Sequence, residues 1–434
     1  MRYFLSFLAI LAFSASPAAA RLSPAEQAMV RTIDAEGDRT VSMLTKWVDQ
    51  NSGSLNTPGV TSVGKMVRAE LEPLGFTVEW IDMSAAHRSG HLVARHKGNG
   101  RGKRLLLIGH LDTVFEPDSP FQKWERKGDW GHGPGAADDK GGMAVIVAAL
   151  RAMQKAGTLK NADITVFLTG DEEDSGNPIE LARRDLIAAG KWADVALDFE
   201  GLVRDEGQDM GSTARRSSGS WTVEVTATSA HSSGVFTQAS GYGAIYELAR
   251  ILDQFRRELR EDKLTYNVGL IGGGTSAKLD QGRIRMEATG KTNIIPPTAV
   301  ARGDLRAIDP AQIERTQAKM RAIVAQSLPG AKATITFDDD GYPPMPPTAG
   351  NRAILDALNG VNRDAGFPVM PELDPVKRGA GDISFVAADV DGLAGLGPSS
   401  DGDHTPDERV DIPSISLQAK RAAILMSRLA AQPR

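Results

Sequence analysis

The chain has 434 residues, a formal net charge of -5 and no cysteine. Charged residues of both signs make up 24% of it, which leaves no electrostatic footprint for a nucleic-acid or membrane-surface partner, and without cysteine there is no disulfide framework. At this length two hydrophobic cores are expected rather than one.

In chain order, residues 1–20 read "MRYFLSFLAILAFSASPAAA", with Arg2, an apolar stretch from Phe4 to Phe13, and small residues at Ala18 and Ala20. This is the layout of a cleavable secretory signal, so the expected product is exported and periplasmic. No later apolar run is long enough to span a bilayer. From 21 to 213 short apolar runs alternate with helix-period segments. "HLVARHK", "RLLLIGH", "ITVFLTG" and "VALDFEG" predict strands, and Met143, Ile146, Val147, Leu150 and Met153 mark one face of a helix. Strand–helix alternation predicts an α/β fold, a mostly parallel sheet with helices on both faces.

Near residue 215 the rhythm changes. "SWTVEVTATSAH" alternates apolar and polar residues, as a strand with one wet face does. A helix with Ile245, Leu248, Ile251, Leu252 and Phe255 on one stripe follows. Then come strand candidates "YNVGLI", "RIRMEATGK" and "AVARGDLRAI", a helix from Ala311 to Leu328, and "KATITFD". This order predicts an inserted α+β open-faced sandwich over 214–341, with "GYPPMPPT" leading back to 342–434, which completes the first domain.

Chemistry-bearing residues gather at predicted strand ends, where α/β sheets place ligand sites. "LLLIGHLDTV" ends in His110 and Asp112, a pattern that suits a ligating imidazole and its carboxylate orienter, or a surface His with a capping Asp. "GHGPGAADDKGGM" puts Asp138 and Asp139 at a helix mouth, where capping is the plain alternative. "TGDEEDSG" contains Asp171, Glu172, Glu173 and Asp174; alone it reads as a solvated turn. Asp198 and Glu200 end another strand, and His404 lies in the acidic stretch "SSDGDHTPDERVDI". A metal site in a chain without cysteine must use His, Asp and Glu, the catalytic palette more than the structural one.

These five motifs, in this order across nearly the whole chain, resemble the zinc metallopeptidase family of bacterial glutamate carboxypeptidase, acetylornithine deacetylase, succinyl-diaminopimelate desuccinylase and aminoacylase. The resemblance implies a zinc exopeptidase-like fold with an inserted lid and dimerisation domain, two Zn²⁺ per chain and a homodimer. His110 and Glu200 would bind one zinc, Glu173 and His404 the other, and Asp138 would bridge them. Asp112 would orient His110, and Glu172 would be the general base. His231 would stabilise the oxyanion across the dimer interface, and Asn293 and Arg306 would contact substrate; for Arg306 an ion pair with Asp304 is the plain alternative. The implied activity is release of a C-terminal amino acid from a peptide, with N-acyl amino-acid deacylation and a non-catalytic periplasmic binding role as alternatives. His87, His91, His96 and His132 match no motif and read as surface or packing residues. Gly381, where the family often has Ser or Thr before Asp382, puts contacts to the substrate backbone in question, and the acidity around His404 predicts that this imidazole is strongly hydrogen-bonded.

Overall fold

A computed structural model describes residues 22–434, so the leader expected over 1–20 lies outside the described residues. The strands of the two main sheets are β1 (Thr77–Asp82), β2 (Gly90–His96), β3 (Leu105–His110), β4 (Ile164–Thr169), β5 (Val195–Asp198), β6 (Gly219–Ala227), β7 (Thr265–Gly274), β8 (Thr298–Arg306), β9 (Ala331–Phe337) and β10 (Gly392–Leu393). The helices are α1 (Pro24–Ala35), α2 (Gly37–Val48), α3 (Thr57–Leu71), α4 (Lys140–Lys155), α5 (Ile179–Trp192), α6 (Ala244–Glu258), α7 (Pro310–Val324), α8 (Ala349–Ala365) and α9 (Ile412–Ala431).

The near-continuous apolar runs of β3, β4 and β5 are buried at every position, because both faces of their sheet are covered. Alternate residues serve different cores: Leu105 and Leu107 join α1, α2, α3, α4, α8 and α9 on one side, while Leu106 and Ile108 meet Leu186 of α5, Ile383 and Val386 on the other. Burying each such leucine contributes roughly 1.5–3 kcal/mol. The strand order is β1-β2-β4-β3-β5-β10; β4, β3, β5 and β10 run parallel, and β2 and β1 extend the sheet antiparallel. Parallel strands aim their carboxyl ends one way, which gathers His110, Glu172 and Glu200 at one edge.

The second sheet, β7-β8-β6-β9, is antiparallel throughout. Trp221, Val223 and Val225 of β6 turn towards α6 and α7, and the Trp221 ring meets Phe255 edge-on at 5.6 Å. One expected strand falls outside this sheet. In "RIRMEATGK" only Met286–Thr289 is extended, and it pairs with Ser276–Leu279 as a separate hairpin. Its apolar side chains alternate with charges but find no covering layer, and Ile284 is 73% exposed.

A small sheet ties distant parts of the chain together. Ser400–Asp401 pairs with Arg409–Asp411, which pairs with Trp130–His132, which pairs with Glu125–Lys127. It carries the loop of His404 up to the loop of Asp138.

Candidate metal centre

His110 is the last residue of β3, Asp138 precedes α4, Glu172 and Glu173 follow β4, and Glu200 lies two residues beyond β5. His404 sits in the turn between Ser400–Asp401 and Arg409–Asp411. Asp138, Glu172, Glu173, Glu200 and His404 line one pocket of ≈ 500 Å³. One ligand atom each from His110, Asp138 and Glu173 falls within 4.8 Å of the others.

Asp138 is the centre of this group. Its Oδ1 is 2.9 Å from His110 Nε2 and its Oδ2 is 3.1 Å from His404 Nε2. A carboxylate that offers a different oxygen to each of two imidazoles has the geometry of a bridge. Burial opposes ionisation of Asp138, but the hydrogen bonds with the two imidazoles outweigh it and hold the carboxyl well below its ordinary range. His404 Nε2 also lies 3.3 Å from Glu173 Oε2, and these contacts, that with Asp138 first, push the imidazole up to about 11. Glu173 is itself pushed up to about 7, chiefly by burial.

The donor set fits metal ions. Glu173 Oε1 and Glu200 Oε1 are buried with no hydrogen-bond partner, and a buried carboxylate oxygen without a donor calls for a cation. Two imidazoles and three carboxylates are the ligand types of catalytic zinc sites.

Asp112 is fully buried and does more than orient an imidazole. His110 Nδ1 lies 3.4 Å from Asp112 Oδ1 and 3.2 Å from the Asp112 carbonyl. The same carboxylate accepts the backbone amides of Glu172 at 3.0 Å and Glu173 at 3.1 Å, and the Ser54 hydroxyl at 2.6 Å. Burial and the nearby Glu200 carboxylate push the Glu172 carboxyl well above its ordinary range, which suits a group that must both take up and release a proton.

Several expectations change. Asp171 is no solvated turn residue: it is fully buried and its Oδ1 accepts from Arg183 Nη1 at 2.6 Å. Arg183, also fully buried, reaches Asp382 at 2.8 Å, so an internal guanidinium supports the glutamate loop. Asp174 is exposed and pairs with Arg88 at 2.7 Å. The acids around His404 do not hold it. Asp401 pairs with Arg409, Asp403 accepts from Ser400, and buried Glu408 accepts the amides of Ala137 at 3.1 Å and Asp138 at 3.3 Å. His404 is instead bonded to the pocket carboxylates.

The residues expected in the inserted sandwich are not gathered at this centre within one chain. His231 is exposed and bonds Ser233 at 2.8 Å, and Asn293 is exposed in a nearby turn. Arg306 makes the intradomain pair, 3.1 Å to Asp304, although its guanidinium lies close to Gly379 at the pocket wall. Gly381 has a steric reason: a Cβ there would stand 2.3 Å from both Arg215 Nη1 and Glu200 Oε1. His91 is a packing residue, buried with Nε2 2.8 Å from the Ala182 carbonyl. The sequence reading missed Arg215, Arg378 and Tyr342. Tyr342 and Arg378 are distant in sequence from Glu172 and Glu200, which they touch, and for Arg215 "ARRSS" offers only a charge run.

The pattern of peptidase family M20/M25/M40 matches residues 106–428. The chain belongs to this family. Carboxypeptidase G2 of Pseudomonas sp. (strain RS-16) is 30% identical over 413 residues, 91% of this chain and 90% of that protein. A succinyl-diaminopimelate desuccinylase of Burkholderia ambifaria is 26% identical, covering 82% and 90% respectively. Among solved structures, a dinuclear metal-binding M20 peptidase of Bacillus subtilis superposes with a TM-score of 0.62 at 16% identity, covering 91% of this chain and 98% of that one. The M20 chain described here is thus a metallopeptidase or amidohydrolase, and its α/β fold with an inserted sandwich is that of the family.

Proposed function

We propose that the protein is a di-zinc carboxypeptidase that releases a C-terminal amino acid from a peptide. The observation that carries this reading is the Asp138 carboxylate, which turns one oxygen to His110 and the other to His404, with the partnerless oxygens of Glu173 and Glu200 beside it. His110 and Glu200 would hold one zinc, Glu173 and His404 the other, and Asp138 would bridge them. Bound there, a zinc pair would supply Lewis acidity to polarise the scissile carbonyl and would lower the pKa of water from ~15.7 towards ~7.

The chain's own residues supply the rest. Glu172 takes the proton of the attacking water and delivers it to the leaving amine. Asp112 holds the amides of Glu172 and Glu173 and the ring of His110 in one frame. His231, exposed on the inserted sandwich, would meet the reacting carbonyl of the partner protomer in a homodimer, and Asn293 and Arg306 would contact the substrate, with the Arg306 guanidinium suited to a carboxylate. On this reading the sandwich would span 214–341 and the catalytic part 21–213 and 342–434, and a leader over 1–20 would direct the protein to the periplasm.

Similarity to a carboxypeptidase at 30% identity supports peptide cleavage, and similarity to a desuccinylase supports a second reading, N-acyl amino-acid deacylation at the same site. The test is hydrolysis of a dipeptide panel varied at the C-terminal residue, run beside N-acyl amino acids with zinc supplied. Turnover confined to the acyl compounds would replace the first reading with the second, and no turnover of either would reject both.

A further inference from the structure

Two segments join the main sheet to the second sheet, one leaving through Arg215–Ser218 and one returning through Tyr342–Met345, and they are hydrogen-bonded to each other. Arg215 N donates to Met345 O at 3.0 Å and Met345 N to Arg215 O at 2.9 Å; Ser218 N donates to Tyr342 O at 3.0 Å and Tyr342 N to Ser218 O at 2.7 Å. From the first segment the buried Arg215 reaches the carboxylates of the centre, and from the second the half-buried Tyr342 reaches the backbone of Glu172.

Arg215 is 3% exposed. Its Nη1 lies 2.6 Å from Glu200 Oε2 and 2.9 Å from Asp198 Oδ2, its Nε donates to the Gly379 carbonyl at 2.8 Å, and its Nη2 donates to that of Ala380. The guanidinium is therefore fixed on every side, and a fixed guanidinium fixes its carboxylate. It holds Glu200 by Oε2 alone. Oε1 is left buried and partnerless, the state of a carboxylate set to give one oxygen to a metal.

Tyr342 lies on the other strand of the crossing. A phenol has one proton, and here it goes to the Glu172 carbonyl at 2.7 Å. The phenol oxygen accepts from Arg183 Nη2 at 2.9 Å and meets Ser175 Oγ at 2.9 Å, while the ring packs edge-on against Phe385 at 4.8 Å. Arg183 is pinned by Asp171 and Asp382, so the hydroxyl has little freedom to turn away from Glu172.

We propose that the paired crossing is a positioning device for the metal centre. Arg215 presents Glu200 to its metal through a single oxygen, and Tyr342 sets the backbone of the general base Glu172. Arg215 acts through Glu200 and Tyr342 through the backbone of Glu172, so both are positioning residues. The inference rests on the hydrolase reading above and adds residues that the reading does not require.

The experiment compares full-length wild type with Y342F, R215Q and R215K, using zinc as the probe. Zinc affinity is measured by chelator competition, kcat and KM on the best substrate of the panel, and folding by thermal melting. Y342F keeps two zinc ions at wild-type affinity and keeps KM, while kcat falls about tenfold. R215Q weakens one of the two zinc ions about 10–100-fold and leaves the other unchanged, and R215K recovers part of the loss. A Y342F enzyme with wild-type kcat, or a folded R215Q protein holding both zinc ions at wild-type affinity, overturns the proposal. Should R215Q fail to fold, Y342F decides. Wild type that hydrolyses substrate while every variant matches it overturns the positioning role alone; wild type that neither holds zinc nor hydrolyses anything overturns the hydrolase reading with it.

Discussion

Asp112 accepts the backbone amide of Glu172 at 3.0 Å. The carboxylate beside the imidazole of His110 therefore also shapes the loop of Glu172, the proposed proton shuttle. Because it accepts from Glu173 and Ser54 as well, one side chain couples both glutamates to His110. Asp112→Ala is expected to lower metal affinity about 10–100-fold. Unchanged affinity in a chelator titration of the folded variant would show that the frame does not depend on this carboxylate.

Glu172→Gln keeps the shape of the side chain and removes its proton chemistry. Turnover should drop about 10²–10⁴-fold with the metal content unchanged. Elemental analysis beside kcat checks this, and parallel loss of metal and rate would make Glu172 a ligand instead.

Removing metal leaves Glu173 and Glu200 each with a buried oxygen that has no donor. A site filled at one hundred times its dissociation constant stabilises the fold by about 2.7 kcal/mol. Melting temperature should fall on dialysis against a chelator and return when zinc is added back. A melting curve indifferent to both treatments would argue that the folded chain binds no metal.

Arg183 serves two buried carboxylates, Asp171 and Asp382. Breaking such an arrangement from one side costs about 3–5 kcal/mol, because it strands charge in the interior. Arg183→Met should therefore lower the midpoint of urea unfolding substantially, while Arg184→Met, at an exposed pair one residue on, should barely move it.

Glu408 clamps the amides of Ala137 and Asp138, and burial, then the Asp138 charge, pushes its carboxyl up to about 8 from 4.5. Between those pH values the folded chain binds more protons at this residue than the unfolded chain. Its contribution to stability is thus whole below pH 4.5 and is lost as pH rises through about 8. Metal-free Glu408→Gln should lose less stability than metal-free wild type over that window, measured by denaturant unfolding at several pH values. Parallel pH dependences in the two proteins would rule out Glu408 as the source.

What the sequence made legible was local. Strands buried on both faces appear as unbroken apolar runs, so β3, β4 and β5 and the residues at their ends could be placed from "RLLLIGH", "ITVFLTG" and "VALDFEG". Partners from distant segments left no such mark. Asp171 looks the same in sequence whether it faces water or Arg183. The roles of Arg215, Tyr342 and Glu408 depend on strand order and on the crossing, which alternation of residue types does not encode. The strand expected in "RIRMEATGK" failed for a related reason: alternation marks a half-wet strand without saying which sheet receives it, and β7 already flanks β8.

Asp138 meets one histidine 28 residues before it and another 266 residues after it. Synthesis therefore delivers most of the centre early and His404, its last proposed ligand, almost at the end. Until the segment of Ser400–Asp411 has emerged and paired with Trp130–His132, Asp138 lacks His404 and its loop lacks the Glu408 clamp. A chain released before that point would carry a nearly whole sheet with an unfinished centre, and on the proposed reading it would stay inert until the segment of Ser400–Asp411 is in place.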